Sequence, residues 1–421
     1  MTRRIAGIDI HKNVLMVVVA TVLEKEIDGG MEQQIEYEGR RFGSGARERK
    51  HLVAWLRERQ AEEVVMESTA QYWKPVWMDL ELHFPKLHLA QAHSNKAPKG
   101  RKNDFADARR LTRRMAAGEL ILSFVPDAEQ RTWRTMTRGK QQLVRDRVRL
   151  QNQTEALLEE MRIKLSGVVS DLFGVSGRRI LEALAGGETN PEKLADLGDD
   201  RLKCGREALV DALTGHSEPM HLQILKLSME RLKLLDRQIE ALEQMAAGAL
   251  KKHGAAVTRL AGVPGFGVDS AQQVIAEVGS DAKSFSGAGE LASWVGTIPG
   301  SDVSAEQNHS SRSPKGNKFL RRIFTQAAQA AVKTKGCHFQ NVFRRLVPKL
   351  GYKGAIWAIA NRLCRLAWKI LHDGVSYIEQ AAETTPQAKK RRAQRLTQAL
   401  RRLGFQVAIT PIAPKAEVAQ G

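Results

Sequence analysis

Cysteines and long apolar runs are scarce in this sequence of 421 residues, and each scarcity excludes a class of protein. The three cysteines, Cys204, Cys337 and Cys364, are far apart, which excludes a disulfide framework and a zinc site built on cysteine. No apolar run approaches the roughly 18 residues that a membrane-spanning helix needs. The first residues also lack the apolar core of a signal peptide, so we expect a cytoplasmic protein without a membrane partner.

Acidic residues are outnumbered by basic ones, 47 to 66, which gives a formal net charge of +19. A charge of this size indicates a polyanionic partner, most simply DNA or RNA. Hydrophobic residues make up 42% of the chain, enough for well-packed cores. The length predicts two or three domains.

The pattern along the chain predicts three folded domains and a tail. Residues 1–125 alternate strand and helix signals in the order βββαβαβα, which indicates an RNase-H-like α/β domain. The pattern of residues 126–252 predicts an all-helical, coiled-coil domain. That of residues 253–380 predicts a mostly helical third domain. Residues 381–421 form a basic tail, whose composition favours disorder.

An apolar stripe in the second domain has near-heptad spacing, which is typical of helix packing rather than of a binding site. Its members are Leu222, Leu225, Met229, Leu232 and Ile239, widened by Leu235 and Leu242. The stripe is compatible with an antiparallel hairpin inside the chain or with a coiled coil between chains. We expect it to carry contacts between protomers.

Acidic residues lie at the ends of apolar strands in the first domain. Asp9 interrupts the apolar run 5–10, and Glu67 ends the strand signal of "EEVVMEST". A buried carboxylate without a partner costs several kcal/mol, so it requires a compensating group. A strand-end Asp that faces solvent is the structural alternative.

Two more acids, Asp104 and Asp107, open the helix signal of "KNDFADARRL" with i, i+3 spacing. This spacing puts both on one face of the first helical turn, although helix capping alone also favours acids there. Four neighbouring carboxylates cannot all ionise without a cation, and Mg²⁺, or Mn²⁺ in its place, is the expected ligand. The preceding loop suits a phosphate backbone through Lys96, Lys99, Arg101 and Lys102.

The third domain opens with "LAGVPGFGVDSAQQVIAEVG", which predicts a helix-hairpin-helix turn. In such a turn the backbone amides at Gly265 and Gly267 bind a phosphate. A tight connection that needs glycine for positive φ is the alternative.

A polar loop rich in serine follows, and a serine hydroxyl can attack phosphorus when a base or metal activates it. Its serines are Ser301, Ser304, Ser310, Ser311 and Ser313. The basic residues after it are candidate phosphate-binding groups: Lys315, Lys318, Arg321 and Arg322.

These motifs together resemble the DEDD-type transposases of bridge-RNA-guided insertion sequences, over about residues 3–380. "GIDIHK" and "MEST" match the first two acids, and "KNDFADARRL" the last two. "VPGFG", "GTIPG" and "KGNKFLRR" match three further motifs in the family's order. Spacing from "IPG" puts the family's nucleophilic serine at Ser304, with Ser301 as the nearest rival.

The resemblance implies an RNase-H-like domain in which Asp9, Glu67, Asp104 and Asp107 bind Mg²⁺. It implies recombination of donor and target DNA through a covalent phosphoserine, guided by an element-encoded RNA. It also implies a homo-oligomer, a dimer and tetramer, with acids and serine contributed by different protomers. A metal-dependent junction-resolving nuclease that uses water is the rival enzyme, and an architectural nucleic-acid-binding protein is the non-enzymatic alternative.

Overall fold

The structure of the chain is a computed structural model. It describes residues 2–27, 30–68, 70–92, 105–199, 202–300, 302–304, 307–310, 312–379 and part of 390–408. For 24–27, 30–33, 302–304 and 307–310, the description is of the backbone alone. The chain forms two compact units, Met1–Pro126 and Asp127–Gly421.

The N-terminal unit is a mixed α/β unit. Its strands are β1 (Thr2–Ile10), β2 (Val14–Ile27), β3 (Gly30–Gly43), β4 (Glu63–Glu67), β5 (Lys86–Ala90) and β6 (Leu122–Ser123). Its helices are α1 (Ala46–Glu58), α2 (Trp73–Leu80) and α3 (Ala106–Ala116). The strands form one sheet in the order β3-β2-β1-β4-β5-β6. β4 is parallel to β1 and β5, and the other pairs are antiparallel.

β1 lies in the middle of the sheet and is covered on both faces. Ala6 and Ile8 belong to the core that contains α1 and α2. Ile5, which points to the opposite face, packs with Leu111 of α3. Because side chains alternate along a strand, Asp9 lies on the α3 side, the same side as Ile5.

Gly7 sets the distance between β1 and α3. A Cβ atom at this position would lie 2.4 Å from the backbone oxygen of Ala108 and 2.8 Å from Cγ2 of Thr112. Only glycine leaves room for the helix backbone here, since a side-chain carbon cannot lie this close to another backbone atom. The glycine of "GIDIHK" therefore allows α3 to lie directly against the strand that carries Asp9.

The order of elements agrees with the predicted βββαβαβα, and β6 is an additional short strand that the sequence analysis missed. α3 begins at Ala106, so Asp107 lies in its first turn, as predicted, whereas Asp104 precedes the helix and lies outside the described residues. The predicted position of Asp104 in the first turn therefore stays a prediction. The RNase-H-like assignment stays a prediction.

The second unit is mostly helical. Its helices are α4 (Ala128–Glu160), α5 (Leu165–Val168), α6 (Val175–Ala185), α7 (Pro191–Ala195), α8 (Arg206–Leu213), α9 (Pro219–Ala249), α10 (Gly254–Ala261), α11 (Val268–Val278), α12 (Ala288–Val295), α13 (Lys318–Ala331) and α14 (His338–His372). A 3-10 turn spans Lys251–His253, and two short strands are β7 (Asp302–Ser304) and β8 (Gln307–Ser310). α14 is kinked at Gly351, where φ is 67°.

The two long helices α4 and α9 pack antiparallel to each other. Lys140 lies 2.8 Å from Glu243, and Arg147 lies 3.1 Å from Asp236 near the middle of α9, so the chain directions are opposite. The apolar stripe predicted for protomer contacts faces inward instead. Leu225 and Leu232 are fully buried in a core shared by helices α4–α9.

The protomer contacts predicted for this stripe were therefore wrong, because the stripe packs within one chain as the hairpin alternative describes. Helices α10–α14 surround a second apolar core, to which the start of α4 contributes Trp133 and Met136. The separate boundary predicted at 252/253 stays a prediction. Among the described helices, none is both long and apolar enough to span a membrane.

The predicted serine-rich loop contains a β-hairpin, and this prediction was wrong in part. β7 pairs antiparallel with β8, with Ser304 opposite Gln307 and an irregularity between Asp302 and Val303. A two-stranded ribbon is held by backbone hydrogen bonds and needs no apolar face, so the polar sequence gave no alternating signal.

Gly7→Ala tests the contact between β1 and α3. We expect it to destabilise the N-terminal unit by about 1–3 kcal/mol, because the new methyl group collides with helix backbone. The measurement is hydrogen exchange of β1 amides in the full chain. Gly45→Ala is the control, since a Cβ there meets no atom within 4 Å. Equal protection of the β1 amides in both variants would show that α3 accommodates a methyl group at position 7.

Candidate active site

Three of the four predicted acids lie together at one end of the sheet. The parallel pairing of β1 with β4 includes Ile8 opposite Met66, so Asp9 and Glu67 come next in register on neighbouring strands. α3 brings Asp107 to the same place, because the helix packs against β1 at Gly7. The side chains of Asp9 and Glu67 are only 16% and 22% exposed.

The two strand acids are held in an environment that disfavours their charge. Burial raises the pKa of the Asp9 carboxyl; His11 opposes this shift, and repulsion from Asp107 reinforces it. Burial also raises the pKa of Glu67; Arg110 acts in the opposite direction, and repulsion from the other two acids adds to the rise. Buried carboxylates that lack enough neighbouring positive charge are the kind of group that binds a cation.

Two basic residues of this site were missed by the sequence analysis. The Arg110 guanidinium lies 2.9 Å from Oδ1 of Asp107 and 3.9 Å from Oε2 of Glu67. Nε2 of His11 lies 3.1 Å from Oδ2 of Asp9. The i, i+3 spacing of Asp107 and Arg110 is a signal that could have identified the first pair.

The donor chemistry of the site fits a hard divalent cation, since Asp9, Glu67 and Asp107 offer carboxylate oxygens. Within the described part of the chain, no three His, Cys, Asp or Glu side chains are arranged to bind one ion. Arg110 stands between two of the oxygens that such an ion would use. Asp104 and the basic residues Lys96, Lys99, Arg101 and Lys102 lie outside the described residues.

The predicted phosphate-binding turn connects α10 to α11. Gly265 has φ of +93°, and a Cβ there would lie 2.1 Å from the backbone oxygen of Ala327 in α13. Gly265 is therefore required for packing, which favours the tight-turn alternative at this position. Gly267 is the N-cap of α11, and a Cβ there would meet no atom within 4 Å, so the start of this helix is open to an anion. The helix-hairpin-helix assignment stays a prediction.

The serine hairpin rises from two chain segments in close contact. A Cβ on Gly300 would lie 2.2 Å from the backbone oxygen of Arg312, and one on Gly316 would lie 2.2 Å from that of Val295. The side chain of Arg321 donates to the backbone oxygens of Gly296 and Pro314 at 2.6 Å each. The base of the hairpin is thus fixed on both sides of the segment that contains Ser304.

The four predicted phosphate-binding residues fall into two groups. Lys315 and Lys318 are exposed near the hairpin base. Arg321 ties the base together and lies 4.5 Å from the centre of the Trp357 ring. Arg322 donates to Oε1 of Gln273 at 2.5 Å. Both arginines are therefore engaged inside the protein.

A buried carboxylate, Glu277 at the end of α11, connects α4 to the "KGN" motif. Arg138 of α4 donates to its two oxygens at 2.7 and 2.8 Å, and Arg134 donates to its backbone oxygen at 2.6 Å. Nδ2 of Asn317 donates to Oε2 of Glu277 at 2.9 Å. Oδ1 of the same Asn317 accepts from the amides of Phe319 and Leu320, which caps α13. The sequence pattern did not predict this cluster.

Two family models match the chain. One, described as Transposase and named for a DEDD domain of the IS110 group, matches residues 6–163. The other, described as Transposase IS116/IS110/IS902 family, matches residues 257–344. The first segment contains all four predicted acids, and the second contains Glu277 and the serine hairpin.

Curated relatives extend this similarity over most of the chain. A probable family 20 transposase of Pseudomonas aeruginosa is 27% identical, covering 75% of this chain and 85% of its own length. The transposase for insertion sequence element IS1328 of Yersinia enterocolitica is 24% identical over 70% of this chain and 82% of that protein. The IS1111A transposase of Coxiella burnetii is 25% identical over 73% and 77%.

These similarities identify an enzyme that recombines DNA, a transposase. The chain belongs to the IS110/IS116 family of insertion-sequence transposases. The match to the DEDD model indicates dependence on a divalent metal ion.

Glu277→Ala tests the cluster that connects α4 to the "KGN" motif. Because it leaves Arg134 and Arg138 without a carboxylate, we expect a loss of about 3 kcal/mol in the free energy of unfolding. Urea unfolding of the full chain measures it. Glu243→Ala is the control: Glu243 is half exposed, and its partner Lys140 keeps Asp269, so a loss under about 1 kcal/mol is expected. Equal losses of unfolding free energy in the two variants would contradict a stabilising role for the Glu277 cluster.

Proposed function

We propose that this transposase excises and inserts its element through Mg²⁺-dependent strand cleavage and a covalent phosphoserine intermediate. The observation that carries the proposal is the meeting of Asp9, Glu67 and Asp107 at one end of the sheet, within the segment that matches the DEDD model. The fold that supports them is RNase-H-like in this proposal.

The acids are proposed to hold the metal, with Asp104 as the fourth ligand. Mg²⁺, or Mn²⁺, would supply positive charge to the phosphate oxygens as the transition state forms. Burial of Asp9 and Glu67 supports this role, because it leaves their charges short of hydration and in need of a cation.

Ser304 is the proposed nucleophile. Its oxygen bonds to phosphorus while the bond from phosphorus to one deoxyribose oxygen breaks. A general base accepts the hydroxyl proton, and the departing sugar oxygen takes up a proton. The position of Ser304 at the end of β7, above a rigid base, supports the assignment, since nucleophiles are best placed on fixed elements.

The proposed nucleic-acid partners are donor DNA, target DNA and an element-encoded guide RNA. The net charge of +19 supports a protein that must bind several polyanions. Lys315 and Lys318 are proposed to contact the phosphates near Ser304, because they are exposed while Arg321 and Arg322 hold the surrounding structure. Gly267 and the basic run Lys99, Arg101 and Lys102 are proposed as further phosphate contacts.

Ser304→Ala tests the chemistry. We expect nucleic-acid binding to survive, because binding rests on the basic surface, and the covalent protein–DNA adduct to vanish. The adduct is measured by extraction of end-labelled DNA into phenol. Asp9→Ala and Glu67→Ala should abolish cleavage itself.

Ser301→Ala is the matched control for Ser304→Ala, and it should form the adduct normally. An adduct lost only in Ser301→Ala would move the nucleophile to that residue. Cleavage that continues in Ser304→Ala with no adduct in the wild type would instead identify a water-using, junction-resolving nuclease.

Assembly into dimers and tetramers is proposed to use the outer face of α9 rather than the buried stripe. Ile224, Leu227 and Leu234 are exposed there at near-heptad spacing. Together with Leu150 and Leu157 of α4 they line a groove of about 730 Å³. A helix of a second protomer fits such an apolar face.

Leu227→Asp plus Leu234→Asp tests this face. Because both side chains are exposed, we expect the protein to remain folded and its oligomeric state to fall, as measured by light scattering. The control, Leu222→Asp plus Leu232→Asp on the opposite side of α9, should unfold the chain instead. Unchanged mass in the outer-face variant would contradict the proposal.

A further inference from the structure

Arg110 occupies the centre of the acidic site. Its guanidinium contacts Asp107 at 2.9 Å and approaches Glu67 to 3.9 Å, and its side chain is only 15% exposed. The attraction between Arg110 and Asp9 also acts across this site. Arginine stays protonated in proteins, so it is a permanent positive charge among three carboxylates.

This contact differs from an ordinary surface ion pair between residues on one helix. Nε of Arg110 is buried and has no hydrogen-bond partner. A buried donor without a partner costs free energy, so the position is not optimised for stability alone. The attraction of the acids holds the guanidinium there despite that cost.

A divalent ion bound by the acids would share two carboxylates with Arg110, that of Asp107, which the guanidinium contacts, and that of Glu67, which it approaches. Both cations also need the same space, because each must lie within a few ångströms of the carboxylates. Building on the metal site of the proposed function, we propose that Arg110 is the resident counter-cation of the acidic set and competes with the metal ion. Metal then binds only as the guanidinium moves away from the carboxylates.

The competition is tested by Mn²⁺ titration of the full chain without nucleic acid, with free Mn²⁺ measured by electron paramagnetic resonance. Arg110→Gln should lower the Kd for Mn²⁺ by about tenfold, because it removes the competing charge. Arg113→Gln makes the same charge change at an exposed position of α3, and its Kd should stay within about twofold of the wild type.

An unchanged or weaker affinity in Arg110→Gln would overturn the inference, since it would show that Arg110 does not compete or that it organises the ligands. If Arg110→Gln does not fold by circular dichroism, Arg110→Lys serves instead. It keeps the charge, so its Kd should stay within about threefold of the wild type, and tenfold tighter binding would refute competition by charge. If Asp9→Ala binds Mn²⁺ with the Kd of the wild type, the proposed metal site itself is refuted.

Discussion

The contact between α3 and β1 at Gly7 is the constraint on which the acidic site depends. Strand β1 carries Asp9, helix α3 carries Asp107, and only a residue without a side chain allows the two backbones to approach so closely. The parallel neighbour β4 then adds Glu67 in register. Three carboxylates from three elements meet because one strand position is left empty of side-chain atoms.

A comparable constraint organises the second unit. Glu277 joins the long helix α4 to Asn317, and Asn317 in turn caps the helix that follows the serine hairpin. Arg321 closes the base of the hairpin from the other side. The geometry near Ser304 is therefore coupled through hydrogen bonds to the antiparallel helix pair. A change in the position of these two helices can therefore alter the position of the hairpin through these hydrogen bonds.

The sequence was sufficient for much of this architecture. The apolar runs and their turns predicted the strands and the acids at their ends, because alternation and burial leave direct traces in the residue pattern. The role of Arg110 was not predicted, since an arginine near acids is common on helix surfaces and its burial depends on how closely α3 packs. The inward direction of the Leu225 and Leu232 stripe was equally open, because a heptad pattern does not distinguish a partner helix in the same chain from one in another. The hairpin at Ser304 escaped detection because its strands have no apolar face.

We propose that these carboxylates bind the divalent metal ion that supports DNA recombination. The most direct measurement is a crystal structure of the full chain with Mn²⁺, located by its anomalous scattering. We predict a peak about 2.0–2.3 Å from carboxylate oxygens of Asp9 and Glu67, with the Arg110 side chain moved away from Glu67. Saturating Mn²⁺ with no peak at these residues, or with a peak only elsewhere, would contradict it.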